Sequence, residues 1–216
     1  MKAKAFFSLS LICIWFHSRG QQVTKIINMG IYKSYYSSTI KNPLYVTYPL
    51  YKGGGPCDRR AEGFSFTQCG EQTATGADYS HSGYEKGHLA NAEDFVSSCV
   101  LEKNTFCYCN CVPQTFELNR GKWKTWEKKI RDLFLIKPLF IVTGSIFATQ
   151  QNLRPNSAVL VPTACYKIVL GLRTQAVLYC MLFYNDHSNR MENLSLAALK
   201  QRLVYPLLPD TQLSLQ

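Results

Sequence analysis

From residue 42 to 51, apolar and polar residues alternate, and Leu44, Val46 and Tyr48 fall on one side of an extended chain. That is the pattern of a half-buried strand. Lys52-Gly-Gly-Gly-Pro56 breaks it and reads as a turn, since no Gly-Lys-Ser/Thr ending makes it a phosphate-binding loop. The period changes over residues 119–134. Trp123, Trp126, Ile130, Leu133 and Phe134 recur at helical spacing, while Lys122, Lys124, Lys128, Lys129 and Arg131 occupy much of the remaining surface. One long amphipathic helix is predicted, with its tryptophans buried, ending at Pro138. Runs rich in apolar, β-branched and aromatic residues follow at 139–143, 158–161, 166–172 and 176–184, and each predicts a strand. Residues 193–204 predict a short final helix closed by Pro206. Many strands around one dominant helix imply an α+β domain.

The chain has 216 residues, and neither a repeat nor an obvious linker divides residues 21–216, which are read as one domain. Residues 1–20 have the make-up of an export signal. Lys2 and Lys4 precede an apolar run at 5–16, and Ser18-Arg19-Gly20 supplies small residues at a cleavage site. The run is shorter than the roughly 20 residues a membrane span needs. A secreted protein without stable membrane association is expected. Loss of Lys2, Lys4 and Arg19 takes the net charge from +10 to +7, which still favours a polyanionic partner.

Of nine cysteines, Cys13 lies in the export segment, leaving Cys57, Cys69, Cys99, Cys107, Cys109, Cys111, Cys165 and Cys180. An even number in an exported chain reads as a disulfide set of undetermined pairing. Cys107, Cys109 and Cys111 alternate, as on one strand face. Their spacing of about 7 Å is wide for tetrahedral zinc, so disulfides are favoured over a zinc module.

Histidines are scarce. His81 and His187 have no chemical setting and are read as structural or surface groups. His88 follows Gly87 and precedes the polar turn Asn91-Ala-Glu-Asp94. An imidazole there can take a proton from water near neutral pH. Asn110 sits between cysteines, facing opposite to them on the expected strand. Asn119 opens the long helix, where it could simply cap it. Glu127 lies eight residues on, about 80° around an ideal helix, so both could border one cleft. Two amides and a carboxylate make a sparse cage of hard oxygens, which suits Mg²⁺.

These motifs carry a resemblance. Ser82-Gly83-Tyr84-Glu85-Lys86-Gly87-His88-Leu89-Ala90, Asn110-Cys-Val-Pro-Gln114, and Leu118-Asn119-Arg120-Gly121-x-Trp123 with Glu127 stand in the order of one family's blocks. Val142-Thr143-Gly144 and Val161-Pro162-Thr163-Ala164 through Lys167 continue them. The chain resembles the DNA/RNA non-specific endonucleases with a ββα-metal active site, the group containing bacterial secreted nucleases and mitochondrial endonuclease G. The likeness runs from about Leu44 to Tyr184.

The resemblance implies a mostly antiparallel central sheet with one long metal-site helix. It also implies hydrolysis of DNA and RNA, single- or double-stranded, to 5′-phosphate and 3′-hydroxyl ends. His88 would be the general base. Asn119 would bind Mg²⁺ directly (Mn²⁺ able to substitute), with Asn110 and Glu127 supporting the metal-bound waters and the local network. Arg60, with Arg59 close behind, would meet the phosphate, and a homodimer is compatible with this picture. Glu85 and Lys86 stand where the family carries aspartate and arginine. A lysine cannot reproduce the planar guanidinium fork, so a binder that cuts weakly or not at all is the alternative.

Overall fold

Strands alternate their side chains, so an antiparallel sheet can bury both faces when both sets are apolar. The computed structural model describes residues 21–50, 54–70 and 72–207. The expected export segment lies outside them, as do Tyr51, Lys52 and Gly53. In chain order the strands are β1 (Lys25–Asn28), β2 (Lys33–Ser37), β3 (Asn42–Leu50), β4 (Glu85–His88), β5 (Cys111–Gln114), β6 (Leu139–Ile146), β7 (Ala164–Gly171), β8 (Val177–Tyr184) and β9 (Met191–Asn193). Seven form one sheet in the order β1-β2-β3-β6-β7-β8-β9, while β4 and β5 pair separately. Every ladder between these strands is antiparallel.

On β6, Leu139 and Ile141 enter one core with Val46, Tyr48, Val169 and Phe183. Phe140 and Val142 enter the other with Tyr166, Ile168 and Leu182. The helices are α1 (Gly76–Tyr79), α2 (Cys99–Asn104), α3 (Phe116–Leu118), α4 (Lys124–Phe134) and α5 (Leu196–Arg202). Through Trp123 and Ile130, the α4 region covers the first core. Leu199 of α5 and Tyr205 close the second. Among the described residues, no helix is long and apolar enough to cross a membrane.

The expected unbroken helix over 119–134 is instead two pieces. It begins at Phe116, where the Thr115 hydroxyl accepts from the Leu118 N–H at 3.3 Å. A wide π-type turn over Asn119–Trp123 follows, with Gly121 at φ −99°, ψ −117°, before α4 starts at Lys124. Thr115, and not Asn119, therefore caps the start of the helix; Asn119 stands at the end of its first piece, and the break at Gly121 follows. The 107–111 stretch also departs from expectation. Tyr108–Asn110 is a 3₁₀ turn and β5 begins only at Cys111, so the three sulfurs do not share a strand face. Residues 158–161 form no strand, only an isolated bridge between Asn152 and Leu160. α5 starts at Leu196 because Ser195 caps it, accepting from the Ala198 N–H at 3.1 Å.

Two disulfides form, Cys57–Cys99 and Cys69–Cys109, and Cys107, Cys111, Cys165 and Cys180 are buried free thiols. Cys69, Cys107 and Cys109 bring their sulfurs within 4.8 Å of one another, but two of them are already bonded together. The expectation that all eight pair is thus corrected. Each bridge closes a loop of about forty residues (separations 42 and 40) that carries a part of the cleft described below. Replacing Cys69 and Cys109 by serine is expected to lower stability by about 2–4 kcal/mol, read by urea denaturation. Unchanged stability would show that packing alone holds the 64–70 segment.

Candidate active site

β4 and β5 pair from Glu85↔Gln114 to His88↔Cys111. The ladder needs glycine at position 87, because a Cβ there would lie 2.1 Å from Gln114 Oε1. His88 ends β4 half-buried, its ring held between Phe66 (centroids 4.7 Å apart) and the edge-on Phe106 (4.8 Å). Its carbonyl accepts from Trp123 Nε1–H at 3.2 Å. Nε2 is buried and has no hydrogen-bond partner. Burial, then the positive charges of Arg59 and Lys167, lower its pKa from 6.5 to about 3. The ring is therefore neutral at pH 7, with a lone pair free to receive a proton.

This shift has a stability consequence whose sign is fixed. As pH falls below 6.5, the unfolded chain protonates His88 and the folded chain does not, so stability drops until about pH 3. Between pH 6 and 4, His88→Asn is expected to lose less stability than the native chain, the difference approaching about 1.4 kcal/mol per pH unit. Equal pH slopes in denaturant melts would refute the neutral, buried ring.

Asn119 faces His88 across a cleft of about 680 Å³ that Glu127, Arg59, Arg60 and Arg120 also line. Glu85, at the head of β4, accepts from Asn119 Nδ2–H at 2.8 Å and from Arg120 Nε–H at 2.9 Å. An ionised carboxylate only accepts, so this contact assigns the asparagine amide: nitrogen to Glu85, Oδ1 to the cleft. Glu85, one methylene longer than aspartate, thus reaches Asn119.

Glu127 projects from α4, and its side chain is only 13% exposed. Burial raises its pKa, while the Lys167 ammonium, 3.7 Å away, favours the carboxylate form. Lys167 rises from the middle of β7, is 1% exposed, and lies 3.8 Å over the Trp123 ring. Beside this pair, buried Asp94 accepts from Tyr48 Oη–H at 2.9 Å and from Arg131 at 3.3 Å. Pairing offsets only part of the desolvation cost, since burial still raises the pKa of Asp94 and lowers that of Lys167. A neutral base, an amide oxygen and a carboxylate thus open on one cleft with cationic walls. Amide and carboxylate oxygens are the donors that a hard divalent cation selects.

His88, Asn119, Glu127, Arg60 and Arg59 meet in the cleft, and Glu85 borders it. Arg59 is committed to Glu93 (2.6 Å) and Glu102 (3.3 Å). Arg60 is exposed and its side chain has no ion pair among the described residues, so with the exposed Lys124 of the same cleft it is available to an incoming anion.

Two expected site residues are not brought to the cleft. Asn110 is fully buried: Oδ1 accepts from the Ala90 N–H (2.8 Å), and Nδ2 donates to the carbonyls of Ala90 and Thr105 (both 2.9 Å). With its polar groups engaged by backbone, it ties down the segment just after His88. Lys86 turns to the rings of Phe66 (5.7 Å) and Tyr79 (5.9 Å). His81 and His187 are exposed, as expected.

Sequence reasoning did not single out Lys167, Asp94 or the Phe66–Phe106 clamp. Lys167 carried a signal, because a lysine amid the apolar run 166–172 of a strand must find a buried partner. The aromatic clamp joins segments forty residues apart and had none.

Comparison with known proteins fits this geometry. A sequence model of the DNA/RNA non-specific endonuclease family matches residues 16–200. The mitochondrial nuclease EXOG of Danio rerio is 34% identical over 110 residues, covering 46% of this chain and 32% of that protein. A nuclease of Nostoc sp. is 36% identical over 95 residues (44% and 34%), and mitochondrial endonuclease G of Homo sapiens is 32% identical over 108 (45% and 36%). These matches span about a third of each relative's length. A crystal structure of an EndoG/EndoGI complex superposes with TM-score 0.66 at 20% identity, covering 82% of each chain, and so shares the fold. With most of its length, and every cleft residue named above, inside the matched region, this chain belongs to the DNA/RNA non-specific endonuclease family.

Proposed function

We propose that this protein is an exported, divalent-metal-dependent endonuclease of the ββα-metal type that cuts both DNA and RNA. The observation that carries the proposal is the pairing of an unpartnered, buried His88 Nε2 with an Asn119 Oδ1 left free by Glu85, both at one cationic cleft. Asn119 and Glu127 would hold the ion, Mg²⁺ with Mn²⁺ as a substitute. When bound, such an ion supplies Lewis-acid stabilisation of charge developing on the phosphate and the leaving oxygen. His88 receives the proton of the attacking water, and its neutrality at pH 7 keeps it ready to do so. Arg60 meets the scissile phosphate. Lys124 adds a cation to the cleft wall, and the exposed Lys128 and Lys129 of α4 extend the positive surface beyond its lining. Phosphate contacts position a strand without reading bases, which accounts for breadth over sequence and sugar. The products carry 5′-phosphate and 3′-hydroxyl ends. Two disulfides accord with an oxidising compartment, and hence with export.

The test is incubation of oxidised protein with supercoiled plasmid and with structured RNA, in Mg²⁺ or EDTA. Metal-dependent cleavage of both is expected. Salt-sensitive binding without cleavage in either Mg²⁺ or Mn²⁺ would overturn the reading in favour of a binding protein.

A further inference from the structure

We propose that Asn189, in the connection between β8 and β9, is a positioning residue that sets the metal affinity of the cleft by fixing the turn on which Asn119 sits. The inference rests on Asn119 being a metal ligand. The 113–122 segment is anchored by this connection on both sides of Asn119. On the upstream side, Asn185 Oδ1 accepts from the Thr115 N–H (2.9 Å), and its Nδ2 donates to the carbonyls of Pro113 (2.9 Å) and Pro162 (2.8 Å). The Thr115 hydroxyl adds a bond to the Asp186 carbonyl at 3.1 Å.

On the downstream side the helix is interrupted at Gly121, and the next N–H, that of Lys122, donates to Asn189 Oδ1 at 2.8 Å. The approach is close: a Cβ on Gly121 would come within 2.6 Å of that oxygen. Asn189 itself adopts a left-handed backbone, φ +51°, which asparagine tolerates better than most residues. Without this acceptor the turn loses the bond that holds its non-helical geometry. Asn119 is then free to swing from the position that Glu85 and the cleft require. The outer contacts of a metal site orient its ligands and commonly change affinity about 10–100-fold.

Two substitutions separate the hydrogen bond from the backbone. Asn189→Gly keeps the left-handed conformation and removes the acceptor, whereas Asn189→Asp keeps both. Mn²⁺ binding is measured by calorimetry without nucleic acid, and Mg²⁺ activation and kcat at saturating metal are measured on plasmid. Asn189→Gly is expected to bind Mn²⁺ about tenfold more weakly, needing more Mg²⁺ but approaching native kcat, and Asn189→Asp to restore affinity. Native Mn²⁺ affinity in Asn189→Gly, or equal loss in both variants, overturns the inference. Asn119→Ala is the control. If it binds Mn²⁺ as the native chain does, the metal-site reading fails and takes the inference with it. If it alone loses binding, only the role of Asn189 fails.

Discussion

Replacing His88 with asparagine is expected to lower kcat for plasmid cleavage by about 10²–10⁴-fold, the range for loss of a general base. Asparagine cannot take a proton from water, and it cannot fill the slot between Phe66 and Phe106 as the ring does. Arg60, the proposed phosphate contact, and the amide of Asn119 stand on other segments, so substrate affinity should change little. KM and the salt dependence of binding are therefore expected to stay near native while kcat collapses. A variant that retained most of its kcat would remove His88 from the chemistry and leave its neutral Nε2 as a packing feature.

The largest effect on stability is expected at Lys167. Methionine matches its stem in volume and packs against Trp123, but it leaves Glu127 and Asp94 beneath α4 with one cation fewer. Removing one partner of a buried pair costs about 3–5 kcal/mol, and partial exposure of Glu127 places Lys167→Met toward the lower end. Denaturant melts measure the loss. The double variant Lys167→Met/Glu127→Gln is expected to recover a large part of it, since no uncompensated carboxylate then remains. If the double variant were as unstable as the single one, the lysine would matter for its contact with Trp123 and not for its charge.

The sheet was legible because its strands are runs rich in apolar, β-branched and aromatic residues, although β3, expected half-buried, is buried on both faces. β3, β6, β7 and β8 coincide with runs read directly from the apolar pattern, within a few residues at their ends. Periodicity located the amphipathic stripe of α4 but could not register the break at Gly121, since a glycine between two helical segments leaves the count of apolar positions almost unchanged. The expectation that Asn119 and Glu127 share a cleft is met, although not through the 80° offset of an ideal helix. The wide turn intervenes, and the β8–β9 connection supplies the geometry. Asn110 lies under the cleft and not in it, because its motif names a residue type without saying where the side chain points; burial decides that. The role of Glu85 depended on a distance to Asn119, thirty-four positions away, which spacing along the chain cannot give.

The strand order also has a temporal consequence. β3 and β6 are neighbours in the sheet, and every residue assigned to the cleft lies in the chain between them. Closing that ladder, from Tyr45↔Gly144 to Leu50↔Leu139, is a long-range event, and long loops close late in folding. Lys167 arrives later still along the chain, on β7, and Asn189 after β8. A ribosome-bound chain that has already emitted His88, Asn119 and Glu127 thus lacks the counter-ion and the anchor that seat them. Seating of the cleft residues waits on later strands that do not themselves line the cleft.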